Sequence, residues 1–190
     1  MERKKIMNLE ERLLTLVKND HHLLNVITIL RQQHLREATI VGDPIRNLIW
    51  NAITKQPSSV LWDKITVYYR NISESYEDFL TTQAQLSQNH SQYFWELTNL
   101  SLPERAALAP NQLSISEAVA AQPEKCSAVW IQLLSGGELT VIAPYGLDDA
   151  FALRVAPTPA FAVGTEQHPK YQRRLHFNHW QERWPDLTIG

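Results

Sequence analysis

Cysteine is nearly absent from this chain. One residue, Cys126, stands among 190, which excludes an intrachain disulfide framework and any site built on several thiolates. Glycine is scarce too, at six residues, and leaves little material for backbone loops that cradle phosphate. No apolar run approaches the ~20 residues needed to cross a bilayer. The charged opening Met1-Glu2-Arg3-Lys4-Lys5 has no apolar stretch behind it of the secretory kind. Neither sign of charge dominates: 18 basic and 20 acidic side chains give a net charge of -2. That balance argues against an extensive nucleic-acid surface or an anionic-membrane surface. The expectation is a cytoplasmic protein without membrane contact. What is present is ordinary globular material, 44% hydrophobic and 20% charged, with six tryptophans. A domain of this size takes roughly 70% of its unfolded surface out of water.

Periodicity predicts alternating helices and strands. Leu9, Leu13, Leu14 and Val17 recur at helical spacing over 8–19, and Asp20 has the position of an N-cap for a second helix carrying Leu23, Leu24, Ile27 and Leu30. Ala38-Thr39-Ile40-Val41 reads as a short strand, and Gly42-Asp43-Pro44 as the turn into a helix with Ile45, Leu48, Ile49 and Ile53 on one face. Ile65 to Tyr69 and residues 93–98 read as strands, with a polar helix from Ser73 to His90 between them. A loop with Pro103 and Pro110 leads to a short helix at 115–121. Two apolar strands, 128–134 and 138–143, flank Ser135-Gly136-Gly137 as a hairpin. A short helix at 148–155, a Pro-rich loop at 156–168 and a closing amphipathic helix at 171–184 complete the pattern. Helices interleaved with scattered strands predict a mixed α/β or α+β domain.

No single motif carries strong chemistry. His176 and His179 lack a third ligand at recognisable spacing, Cys126 lacks a signalled partner, and Asp148 and Asp149 read as an N-cap and a first-turn charge. Trp50, Trp130, Trp180 and Trp184 are periodic with apolar neighbours and read as core. Trp62, Trp95 and the Tyr68-Tyr69 pair flank the suggestive region and can either stack a base or simply pack. That region is a strand, a tight turn and a helix (Ile40 to Asn47) followed by a strand led by Asp63. Nucleotidyltransferases of the polymerase-β-like fold present their elements in this order. The turn offers N–H groups to phosphate, and an acid-x-acid pair on the next strand puts two carboxylates on one face for Mg²⁺.

Longer stretches extend the resemblance nearly end to end. Asn19-Asp20-His21-His22-Leu23, Arg46-Asn47-Leu48-Ile49-Trp50-Asn51, Val67-Tyr68-Tyr69, the run from Ala143 to Pro159, Lys170-Tyr171 and the run from Trp180 to Pro185 all resemble segments of a family of bacterial nucleotidyltransferase-like proteins. The resemblance implies a nucleotidyltransferase-like mixed sheet with flanking helices over residues 1–190. Within it, 1–37 form a helical N-terminal segment, 38–100 the nucleotidyltransferase-like core and 101–190 a small C-terminal α+β part. It also implies Mg²⁺-dependent transfer of a nucleoside monophosphate from a nucleoside triphosphate to an acceptor. The matching positions give Asp63 as metal ligand and catalytic carboxylate and Gly42, Arg46, Asn47 and Asn99 as nucleotide-binding residues; in an active member Glu96, or an acid from the 74–78 segment, would stand in as the second catalytic carboxylate.

The departures cluster where the chemistry belongs. Val41 and Asp43 stand where the family has glycine. Ile65 stands where the second acid belongs and Arg70 where a further acid often follows. Only Asn99 survives of the next strand's Lys-Asn-Gln. Two-metal phosphoryl transfer needs carboxylates that bridge the ions, and Asp63 alone cannot do so, although Glu96 can add a ligand if its face turns toward Asp63. Two readings follow: an active transferase, or a catalytically lapsed relative that binds a nucleotide or a protein partner. On this register an acid restored at 65 is expected to raise metal affinity.

Overall fold

The computed structural model describes residues 8–35, 37–102 and 114–190; the expected loop with Pro103 and Pro110 lies outside them. Two helices open the described chain, α1 (Leu9–Asn19) and α2 (His21–Gln32). Asn8 and Glu11 form a capping box at the start of α1, and Asp20 accepts the Leu23 N–H at 2.8 Å to start α2. The break expected at Asp20 is therefore a cap. It folds the two helices against each other so that Leu13, Val17, Leu23, Val26 and Leu30 share one core.

The central sheet has the order β3-β2-β1-β4-β5. Its strands are β1 (Thr39–Val41), β2 (Lys64–Tyr69), β3 (Phe94–Asn99), β4 (Trp130–Leu133) and β5 (Leu139–Ile142). Strand β1 runs antiparallel to both β2 and β4, β2 and β3 are parallel, and β4 and β5 form the hairpin expected around Ser135-Gly136-Gly137. Helix α3 (Asp43–Thr54) links β1 to β2, and α4 (Tyr76–Asn89), opened by a Ser75–Asp78 capping box, makes the crossover that the parallel pair requires. Helix α3 starts directly at the end of β1. Gly42 takes φ +57°, a conformation that favours glycine, and a Cβ there would crowd the Ser127 carbonyl oxygen at 3.3 Å.

Beyond β3 come α5 (Ile115–Ala120), α6 (Asp148–Phe151), α7 (His168–Asn178) and α8 (Trp180–Arg183), with 3-10 turns at Lys125–Ser127 and Pro159–Phe161. The expected single closing helix is two, because His179 adopts a left-handed conformation (φ 46°) between α7 and α8. The short helix expected at 148–155 ends at Phe151, and Leu147 rather than Asp148 takes its N-cap position. A second, two-stranded parallel sheet joins β6 (Arg154–Val155) to β7 (Thr188–Ile189). Among the described residues, no helix is long and apolar enough to cross a membrane.

Each face of the central sheet packs differently. On one face Ile40, Ile65, Val67, Tyr69, Leu97 and Ile131 meet α1, α2, α3 and α4 in the main core. On the other, Val41, Leu100, Ala128 and Trp130 form a smaller cluster with Ile115, Ala118 and Val119, the last three contributed by α5. Tyr68 packs against this cluster and meets Trp130 edge-on at 5.1 Å. Among the described residues, the smaller cluster involves β2 only through Tyr68, and Lys64 and Thr66 lie outside it.

Candidate functional site

Strand β2 alternates strictly. Ile65, Val67 and Tyr69 are buried, whereas Lys64 is exposed and Thr66 and Tyr68 are half-buried. Because successive side chains point to opposite faces, Ile65 belongs to the main core at 0% exposure. The open face carries Lys64 and Thr66. Parallel register sets Lys64 beside Phe94 and Thr66 beside Glu96. Thr66 donates its hydroxyl to Glu96 Oε2 at 3.0 Å, and Lys64 Nζ lies 3.5 Å from the same oxygen. A pocket of about 400 Å³ opens alongside, lined by Gln83, Ser87 and Tyr93 together with Lys64, Phe94 and Glu96.

The antiparallel register of β1 on β2, Thr39 opposite Tyr68 and Ile40 opposite Val67, runs the end of β1 toward the start of β2. Asp43, the first residue of α3, therefore emerges near Lys64. The Arg46 guanidinium holds the Asp43 carboxyl below the usual carboxylate range, with Arg174 and Lys64 adding to the effect.

Arg46, Asn47 and Asp63 form a chain behind this surface. Arg46 is 2% exposed, and its guanidinium lies 4.7 Å from the ring centres of both Trp50 and Trp180. It donates to Asp43 Oδ1 and Ser127 Oγ, each at 2.9 Å, and through Nε and Nη2 to Asn47 Oδ1. Asn47 passes its amide hydrogen to Asp63 Oδ1 at 2.9 Å, and Ser59 donates to Asp63 Oδ2 at 2.6 Å. Asn51 donates to Ser59 Oγ and accepts the Trp184 indole N–H, each at 3.0 Å. One continuous polar network thus ties α3, the turn before β2 and the α8 end of the chain. Such a network holds together only when every member is satisfied. Burial raises the Asp63 carboxyl above its ordinary range despite hydrogen bonds from Ser59 and Asn47.

Asn99 serves a separate tie. Its carbonyl oxygen accepts the Asn71 and Ser101 N–H groups, and its amide donates to the Asn71 carbonyl and to Glu74 Oε2. Glu74 also accepts the Tyr69 hydroxyl at 2.6 Å. These bonds pin the loop between β2 and α4. Of the six residues singled out in the sequence, Arg46, Asn47 and Asp63 come together beside Gly42. Asn99 lies in its own network, and Glu96 points from the opposite sheet face to that of Ile65.

An acid at 65 would lie in the core, so the expectation that it would complete a metal site gives way to burial. Asp63 has both oxygens in hydrogen bonds, and the open face presents Lys64 and Thr66 beside Glu96. Among the described residues, no three His, Cys, Asp or Glu side chains are grouped to hold a metal ion. The donor set therefore does not fit a catalytic Mg²⁺ pair. The sequence does not single out Lys64, Thr66, Ser127 or Arg174 as site residues. The alternation Lys64-Ile65-Thr66-Val67 was the signal for the first two; no local pattern marks Ser127 or Arg174. Of the aromatic residues near the site, Trp62 is exposed, whereas Trp95 and Tyr69 are buried. Trp50, Trp130, Trp180 and Trp184 are buried, as periodicity predicts.

Residues 28–189 match the model of a nucleotidyltransferase family. A protein whose NMR structure reveals a CCA-adding enzyme head domain superposes with a TM-score of 0.83 and 27% identity, covering 97% of each chain. A CCA-adding enzyme solved with CTP gives a TM-score of 0.60 at 14% identity over 97% of this chain and 44% of the enzyme. A tRNA-processing enzyme solved with CTP gives 0.50 at 13% identity, over 87% of this chain and 43% of its own. The last two share the fold, and this chain spans less than half their length. No relative among curated proteins matches. The fold is that of a nucleotidyltransferase head domain, and the chain belongs to the nucleotidyltransferase family.

Proposed function

We propose that this chain is a catalytically lapsed nucleotidyltransferase that acts as a binding module, meeting nucleotide phosphates weakly and without a metal. One observation carries the reading. The open face of β2 bears Lys64 and Thr66, and the intervening Ile65 is sealed in the core. Whichever way a carboxylate pair is registered on this strand, either the side chain or the direction is wrong. Lys64 also places an ammonium on the open face, where it can oppose phosphate charge directly.

Family membership and relatives solved with CTP favour a second reading, Mg²⁺-dependent transfer of a nucleoside monophosphate to an acceptor. In that reading Asp63 holds metal, Glu96 supplies a second carboxylate, and Gly42, Arg46, Asn47 and Asn99 hold the nucleotide. Calorimetric titration with ATP, GTP, CTP and UTP, with and without Mg²⁺ or Mn²⁺, separates the two. The lapsed module binds weakly and indifferently to metal. Low-micromolar, metal-dependent binding that disappears in Asp63→Asn, accompanied by pyrophosphate release, would establish the transferase instead.

A further inference from the structure

Arg46 is a buried cation whose direct partners are mostly neutral. Trp50 and Trp180 offer it ring faces, and Asn47 and Ser127 accept its hydrogens. Asp43 is the one carboxylate that it touches among the described residues, at 2.9 Å. The Asp43 side chain is 51% exposed, so the contact joins a buried guanidinium to a carboxylate that reaches solvent. Arg174, itself held by Glu124 at 2.6 Å, and Lys64 both act on this carboxylate from other elements. Arg46 is thus the cation in direct contact with this half-exposed anion, and the register of β1 on β2 brings Lys64 toward the same end of α3. Lys64 and Arg174 have acidic partners of their own, Glu96 and Glu124. Arg46 has Asp43.

We propose that Asp43 is a resident anion: its carboxylate occupies the Arg46 guanidinium that would otherwise take a phosphate group of a polyphosphate ligand, and so keeps nucleotide binding weak. The reasoning is one of charge and reach. A buried guanidinium strongly favours a hydrogen-bonded anion. The partner it has is covalently attached and always present, whereas a phosphate must come from solution. Removing the Asp43 charge leaves the Arg46 guanidinium with neutral partners, Asn47 and Ser127 among them, and without the one carboxylate it touches among the described residues. This proposal deepens the lapsed reading by naming what occupies Arg46 and what class of ligand its removal would admit.

The test uses the full chain with inorganic tripolyphosphate and with ATP, both in EDTA, by isothermal calorimetry. Asp43→Asn keeps an oxygen for Arg46 without the charge, and Asp43→Gly removes the side chain. The expected result is at least tenfold tighter binding of both ligands by each variant than by the parent chain. The gain should largely vanish when Lys64→Gln is added and persist when Lys55→Gln, at the far end of α3, is added instead. Should Asp43→Gly lose its fold, Asp43→Asn carries the comparison. Folded variants that bind no tighter than the parent overturn the proposal, as does a gain indifferent to Lys64. Metal-dependent turnover by the parent chain would end the lapsed reading, whereas failure of this proposal appears only in the metal-free comparison of variants.

Discussion

On one face of β2, Ile65, Val67 and Tyr69 are sealed beneath four helices; on the other, Lys64 and Thr66 stand in solvent reach beside Glu96. Asp63, one residue before the strand, belongs to the sealed side through Asn47 and Ser59. The difference separates residues held by packing and hydrogen bonds from residues left on the surface of the strand, and the proposed lapse of catalysis rests on it. The sealed side holds the signature residues Arg46, Asn47, Trp50 and Asn51, and each has a packing or hydrogen-bonding duty that stability alone would preserve. The open side carries a cation and a hydroxyl, and both meet Glu96.

The largest predicted effect breaks the comparison at a single strand. Ile65→Asp places an unpaired carboxylate in the core and should cost more than about 4 kcal/mol, enough to unfold a marginal domain. Thr66→Asp, one residue away on the open face, should change stability by less than about 1 kcal/mol. Urea titration of both variants checks the contrast, and equal costs would mean that the face assignment is wrong.

Next in size is the hub of the sealed network. Asp63→Ala strands the Asn47 amide and the Ser59 hydroxyl and should cost about 3 kcal/mol, since each unsatisfied buried donor costs roughly 1–3 kcal/mol. Glu96→Ala, on the open side, should cost no more than about 1 kcal/mol. Chemical denaturation reads both.

The two aspartates near Arg46 should also titrate with opposite sign. Asp43 has a lowered native pKa, with Arg46 as the main cause. Its contribution is therefore present above the unfolded value of about 3.9 and is lost as pH falls through the lower native value. Asp63 has a raised native pKa, caused by burial. The folded chain holds that proton more tightly, so the contribution is present below about pH 3.9 and is lost as pH rises through the raised value. Urea midpoints measured between pH 2 and 7 should show the penalty of Asp43→Asn shrinking toward low pH. Over the same range Asp63→Asn should gain on the parent chain as pH rises.

Much of this architecture is legible in the sequence, and for reasons specific to each element. The Asp20 cap, the Gly42 turn and the β4–β5 hairpin each rest on local chemistry within a few residues. The β6–β7 pairing joins Val155 to Ile189, a partnership of two-residue strands too short to show periodicity. The division at His179 depends on a left-handed residue that is not glycine, so no residue type announces it. The site was legible as a set of names and not as a set of directions. The resemblance puts Asp63 and Ile65 at the expected acid positions, yet the contacts that send them inward come from Ser59, Asn47 and the main core. The polar-apolar alternation from Lys64 to Val67 carried the correct face, and the family register masked it.

The most direct measurement is a Mn²⁺ titration of the parent chain and of the double variant Lys64→Asp/Thr66→Asp, followed by electron paramagnetic resonance. The account predicts no saturable micromolar binding by the parent and at least a tenfold gain when two carboxylates are restored to the open face. Tight Mn²⁺ binding by the parent that is lost in Asp63→Asn would contradict it.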